Sequence, residues 1–329
     1  MSAQLDAMRS FMLTRSAVGT AAAPAPRAEA GPQVVVVGSG KGGAGTSVVA
    51  ALVALAAAST GRRVLLVDAD EHVGPQRYLL GVAPAPAIAD LRGGVDVGAL
   101  PVAVSATLSL VSGGPGVTGA AAAEPAERRA LLRRVTALYP GHDLVVVDGG
   151  SRLDTVCACC DALGGSATRL LVVAGTDPVS LAAAYALMKA ARGGSDAAPA
   201  RSPATDVVVN RHDETAARHG FAQIEQACLE FLGAAVRLAG ILPDDTCLEA
   251  ALRAGMPLQD AAAGSPAAVA AQALVDGLLD DLAGGGSRPA PRSAASNAAS
   301  NAASGYSSAA RPANPYASSP LLARAGALR

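Results

Sequence analysis

The chain has no tryptophan, only three phenylalanines and five tyrosines. A core built from it has to be aliphatic, made of Ala, Val and Leu. Lysine is almost as scarce: only Lys41 and Lys189 stand among 26 basic residues, so each one is conspicuous. The formal net charge is −1, which gives no global attraction to nucleic acid or acidic lipid, and no sequence-specific nucleic-acid binding is expected. The five cysteines (Cys157, Cys159, Cys160, Cys228 and Cys247) form no paired CxxC motifs, which argues against a zinc site or a disulfide framework and for a reducing cytosol. Residues 1–31 contain no apolar run of signal-peptide length. The apolar stretch 52–58 is too closely flanked by polar residues and glycine to span a membrane.

What is present falls into three zones. Residues 1–31 hold a short helical pattern over 4–13, then an Ala/Pro stretch. Residues 32–283 alternate apolar runs with helical patterns. From 284 to 329 the chain is rich in Gly, Ser, Ala, Asn and Pro, with the duplication Ser-Asn-Ala-Ala-Ser-Asn-Ala-Ala-Ser, five arginines and no acid. Such a tail cannot bury enough surface to offset its ordering entropy, so disorder is expected there.

Within the middle zone, short β-branched runs lie at 34–37, 63–67, 108–111, 144–147, 170–174, 207–209 and 238–242. They are continuous rather than alternating, the pattern of strands covered on both faces in a parallel sheet. Helical patterns fall between them at 47–59, 127–139, 180–192, 222–232 and 266–282, the last opened by Ser265-Pro266. Strand–helix repetition predicts an α/β fold, a doubly wound and mostly parallel sheet with helices on both faces. Ligands of such folds sit beyond the carboxyl ends of the strands, which makes the residues just after each run the candidates.

After the first run stands Gly38-Ser39-Gly40-Lys41-Gly42-Gly43-Ala44-Gly45-Thr46-Ser47, followed by a helix. Five glycines between strand and helix let the backbone turn tightly and aim N–H groups at an anion, and the helix N-terminus adds partial positive charge. Two interpretations compete. Gly38-x-Gly40-x-x-Gly43 with Asp68 matches a dinucleotide fingerprint. The same stretch also reads as a deviant P-loop, which alone accounts for Lys41 and for the Thr46-Ser47 pair.

Ser39 to Gly45 resembles the MinD/ParA family loop. Arg63-Val-Leu-Leu-Val-Asp-Ala-Asp70 is similar to its second strand and switch I acids, and Asp143-Leu-Val-Val-Val-Asp148 to the strand ending in its switch II aspartate. Thr176-Asp-Pro-Val-Ser180, Val207-Val-Val-Asn-Arg211 and Gly240-Ile-Leu-Pro-Asp-Asp245 follow in the family's order, so the resemblance covers residues 33 to 283. Phe231-Leu-Gly233, Gly240-Ile-Leu-Pro243 and Ser265-Pro-Ala-Ala268 resemble the branch that controls flagellar number and placement. Gln4, Met8 and Arg9 echo an N-terminal element by which that branch contacts a partner GTPase.

The resemblance implies ATP or ADP with Mg²⁺ as ligands. Gly40, Gly42, Gly43, Ala44, Gly45, Thr46 and Ser47 would wrap the phosphates, while Asn210, Pro243 and Asp245 would border the base. Ser47, Asp68 and Asp148 would hold the metal. Asp70 would position the attacking water, and Lys41 would reach the γ-phosphate of a partner subunit in a nucleotide-dependent homodimer. It further implies a flagellar GTPase or basal-body partner, and a cytoplasmic protein with a weak prospect of peripheral attachment at the inner membrane through residues 321–329.

Two departures matter. Thr46 occupies the place of the P-loop lysine, and losing one charge-assisted contact costs roughly 1.5–3 kcal/mol, about 10- to 100-fold in affinity. Arg152 follows Asp148 in Gly149-Gly-Ser-Arg152, where the family has a small-residue turn. It is placed to reshape the switch, pair with Asp154 or reach a phosphate. The expectation is a nucleotide-binding switch with weakened hydrolysis; a nucleotide-independent scaffold and a dinucleotide enzyme are the alternatives. The Cys157–Cys160 cluster is expected to be buried as small apolar residues.

Overall fold

A computed structural model describes residues 31–70, 74–114, 125–164, 168–193 and 203–283. The helical pattern at 4–13, the motif echo at Gln4, Met8 and Arg9, and the tail from 284 onward lie outside the described residues.

The strands are β1 (Gln33–Gly38), β2 (Val64–Asp68), β3 (Val102–Ala103), β4 (Leu108–Val111), β5 (Leu144–Asp148), β6 (Thr168–Ala174), β7 (Ala204–Asn210) and β8 (Arg237–Leu242). The helices are α1 (Thr46–Ser59), α2 (Gln76–Leu79), α3 (Pro125–Val135), α4 (Leu153–Leu163), α5 (Pro178–Ala191), α6 (Glu214–Leu232), α7 (Thr246–Arg253), α8 (Leu258–Ala261) and α9 (Pro266–Ala283). The sheet runs in the order β3-β4-β2-β5-β1-β6-β7-β8. Every pairing is parallel except the two-residue β3 against β4. This is the doubly wound architecture that the apolar runs predict.

Alternation along each strand splits the core in two. Val34, Val36, Leu65, Val145 and Val147 face a layer with Leu131 of α3, Val156 of α4, Leu187 of α5 and Ile224 of α6. Val35, Val37, Leu66 and Val146 face α1 together with Leu248 of α7, Leu258 of α8 and Leu274 of α9. Burying each of these side chains contributes about 1.5–3 kcal/mol. Helix α1 is buried nearly all round, since it lies between the sheet and α9, which explains its run of Ala and Val with no polar stripe.

Strand β1 passes the chain to α1 on one face, whereas its neighbour β5 passes it to α4 on the other. In folds of this topology the ligand crevice lies at the carboxyl edge between two such strands. Parallel register also sets Asp68 directly beside Asp148 at the ends of β2 and β5. At the opposite edge, the buried Asp206 of β7 accepts from Arg169 of β6 at 2.8 Å and from Arg237 of β8 at 2.9 Å.

The structure adds to the sequence expectation in several places. Helix α6 starts at Glu214, eight residues ahead of the predicted 222, because Asp213 caps it through the Ala216 N–H at 2.9 Å. Its first two turns, Glu214 to Phe221, are too polar for a helical apolar period to show. Helices α7 and α8 and strand β3 had no pattern long enough to read.

Candidate functional site

The glycine loop leaves β1 pressed against α5. A side chain on Gly40 would put its Cβ 2.0 Å from the Ala183 carbonyl oxygen, so only glycine fits there. Gly45, at φ 85°, is left-handed, and its Cβ would fall 2.4 Å from Asn210 Nδ2. That asparagine donates to the Ala44 carbonyl at 2.8 Å, which ties the end of β7 to the loop. The loop is also stitched to the turn after β5: Ser39 N donates to Gly150 O at 3.0 Å, and Gly149 N to Val37 O at 2.8 Å. Gly42 and Gly43 are exposed, and no side chain caps the start of α1. Main-chain donors at an uncapped helix start are the groups that grip an anion.

Thr46 does not face outward. Its hydroxyl is buried and donates to Ser39 Oγ at 2.8 Å, and Ser39 Oγ donates in turn to the Lys41 carbonyl at 2.9 Å. The side chain at the lysine position is thus spent on the shape of the loop, leaving its backbone to a ligand. Lys41 reaches sideways instead. Its Nζ lies 3.2 Å from Asp177 Oδ2 and 3.1 Å from Ser180 Oγ, at the start of α5. Hydrogen bonds from the Ser180 hydroxyl and backbone, helped by Lys41, hold the Asp177 carboxyl down at about 2. An ion pair this exposed stabilises by less than about 1 kcal/mol, so the lysine is easily released.

The carboxylates behind the loop are in a different setting. Asp68 and Asp148 are fully buried, and among the described residues no basic side chain pairs with either. Asp68 accepts from the Gln76 N–H at 2.9 Å and the Asp70 N–H at 3.2 Å. Asp148 accepts from Gln76 Nε2 at 2.7 Å and Gly150 N at 3.1 Å, and is hydrogen-bonded to the Ser47 hydroxyl. Burial first, and then the neighbouring Asp148 charge, push the Asp68 carboxyl well above the usual range. Burial raises Asp148 too, against the hydrogen bonds from Gln76 and Ser47.

Two adjacent buried carboxylates and a hydroxyl form a hard oxygen donor set, and Mg²⁺ is held by one or two carboxylates together with substrate phosphates. The residues present fit that ion. Asp70 is half-buried, with its carboxyl against the turn at Gly150.

The raised pair has a consequence for stability. The folded chain binds more protons than the unfolded chain above the ordinary carboxylate range, so stability falls as pH rises from about 4 through the raised values. Nucleotide-free protein should therefore melt at lower temperature at pH 8 than at pH 5. Asp68→Asn should flatten that profile, as melting curves across this range would show; an unchanged slope would mean that the pair is charged and hydrated.

Other predicted residues lie further along the edge. Asn210 joins the loop. Pro243 follows β8, and Asp245 caps α7 through Leu248 N at 2.9 Å while also accepting from Ala267 N at 3.3 Å, so its carboxylate is committed to helix starts. Arg152 pairs with Asp154 at 3.2 Å, one of the three roles left open by the sequence; Arg128 reaches the same acid at 3.2 Å. In the cysteine cluster Cys159 is fully buried, with Cys157 and Cys160 partly so. Gln76, which touches both site acids, escaped the sequence reading. It lies in a stretch with no periodicity and no motif.

Comparison with known proteins agrees with this geometry. The family model described as the CobQ/CobB/MinD/ParA nucleotide binding domain matches residues 35–258. The antiactivator FleN of Pseudomonas aeruginosa is 28% identical over 245 residues, covering 74% of this chain and 84% of that protein. The fold is also that of the septum site-determining protein MinD of Pyrococcus horikoshii, solved with Mg-ADP (TM-score 0.60, 20% identity, 77% of this chain and 98% of that one). A chain of the MinC:MinD cell division complex of Aquifex aeolicus is similar as well (TM-score 0.57, 22% identity, 79% and 98% covered). By its loop, its sheet order and its paired strand-end acids, this chain belongs to the CobQ/CobB/MinD/ParA nucleotide-binding family.

Proposed function

We propose that this protein is an ATP-binding switch with weakened hydrolysis that regulates the number or placement of flagella. The observation that carries the nucleotide part is the uncapped start of α1 behind an exposed glycine turn, set beside Ser47 and the buried Asp68 and Asp148. Main-chain amides of residues 42 to 47 would hold the α- and β-phosphates, and Ser47 with the two acids would hold Mg²⁺. When bound, that ion supplies charge neutralisation for the phosphates. Asn210 keeps the loop in its gripping shape through Ala44.

Weak hydrolysis follows from Thr46. Its buried hydroxyl brings no positive charge to the transferring group, and phosphoryl transfer depends on neutralising charge that develops in the transition state. Lys41, held only by an exposed ion pair with Asp177, would serve a second subunit after leaving it, a reading consistent with a nucleotide-dependent homodimer. The flagellar role rests on the likeness to FleN, an antiactivator, and a protein partner is supported by the MinC complex of the related fold.

The expected result is binding of ATP and ADP that tightens with Mg²⁺, and a doubling of mass by light scattering with ATP alone. Loss of the gene should change flagellar number or position. Binding without any change in mass would favour a nucleotide-independent scaffold, a reading that the buried Thr46 also suits. No binding at millimolar nucleotide would remove the switch.

A further inference from the structure

Gln76 opens α2 and is completely buried between the two site acids. Its backbone N–H donates to Asp68 Oδ2 at 2.9 Å. Both hydrogens of its carboxamide are used as well, one toward Asp148 Oδ2 at 2.7 Å and one toward the Ser47 carbonyl at 2.9 Å. These acceptors fix the orientation of the group, because turning it over would set its oxygen against a carboxylate and a carbonyl. Oε1 is thereby left buried with no hydrogen-bond partner among the described residues. A buried acceptor in that state is costly, and native structures rarely tolerate one without a purpose.

Its surroundings suggest what would satisfy it. The same carboxamide touches Asp148 and the main chain of Ser47, two of the groups assigned above to the divalent cation. A cation held there carries polarised waters, strong donors that suit a lone carbonyl oxygen. The amide half of the group meanwhile supplies Asp148 with a donor when no cation is present, which lowers the cost of burying an acid beside Asp68.

We infer that Gln76 is a positioning residue of the divalent-cation site: Nε2 orients Asp148, and Oε1 accepts a hydrogen bond from a water carried by the cation. The inference rests on the Mg²⁺-nucleotide reading of the site. It adds to that reading a residue which no motif marks.

The test is Mn²⁺ binding to full-length protein saturated with ADP, followed by electron paramagnetic resonance, with ADP affinity in chelator measured in parallel. Gln76→Leu keeps the bulk and removes the polar ends. It should weaken Mn²⁺ binding by about 10- to 100-fold, the usual loss when an orienting partner of a metal ligand is removed. ADP affinity without metal should stay within about twofold, since phosphate grip comes from the loop amides.

Gln76→Glu keeps an oxygen in place and sets a third carboxylate beside the cation, so it should bind Mn²⁺ more tightly than native protein while its nucleotide-free form melts lower; should the leucine variant not fold, native Mn²⁺ affinity in the glutamate variant overturns the role of Gln76. Ser47→Ala separates the two levels of the argument. If it abolishes metal-tightened binding while both Gln76 variants behave as native, the role of Gln76 is overturned and the site stands. If Ser47→Ala changes nothing, the site assignment itself fails.

Discussion

A Thr46→Lys variant should bind ATP about 10- to 100-fold more tightly than the native chain and hydrolyse it at a clearly higher rate. The position sits on the first turn of α1, where an ammonium restores the charge-assisted contact that a hydroxyl cannot make. In the native chain the Thr46 hydroxyl is consumed by Ser39, and the one lysine of the loop, Lys41, is held by Asp177. Neither side chain would thus bring a positive charge from the same chain's loop to a bound triphosphate. The substitution gives up one buried hydroxyl contact, worth about 1 kcal/mol, so a small loss of apo stability should accompany the gain. Steady-state phosphate release and nucleotide titration of both proteins read the two effects. Equal, robust turnover in both would show that the chain has replaced the missing charge from elsewhere.

The largest loss of stability is expected at the opposite edge of the sheet, from Asp206→Ala. That carboxylate is 3% exposed and lies between Arg169 and Arg237 on the flanking strands. Taking it away leaves the partly buried Arg169 without the acid that it faces. Breaking such a pair costs about 3–5 kcal/mol, whereas an exposed pair costs under about 1 kcal/mol. Arg237→Ala should be milder, because that side chain is more exposed than Arg169 and shares its charge with Asp281. Urea midpoints at constant slope measure both. A loss below about 1 kcal/mol for Asp206→Ala would mean that the cluster is hydrated and that β7 is held by its apolar run alone.

Much of this molecule can be read from local residues. Runs such as Val34 to Val37 and Leu144 to Val147 announce buried parallel strands because both faces must be apolar. The glycine turn and the acids at 68 and 148 follow once strand ends are known. What is not legible depends on contacts between distant segments. Nothing near Lys41 in sequence shows that Asp177 and Ser180 hold it, since they stand on a helix beyond β6. Asp245 caps α7 through Leu248, a contact its local sequence allows, but its second acceptor bond, from Ala267 at the start of α9, comes from a segment 22 residues away. Gln76 gained its place only through register, which brought β2 and β5 together and left one side chain to bridge their ends.

The near-contact of Gly40 with Ala183 has a mechanical meaning. Main chain meets main chain there with no compressible side chain between them, and protein interiors transmit displacement rather than absorb it. Helix α5 therefore cannot shift at Ala183 without moving the glycine turn. The same helix carries Asp177, so tilting it shifts the aperture and the tether of Lys41 in one stroke. A displacement of that helix at Ala183 would be passed straight to the glycine turn.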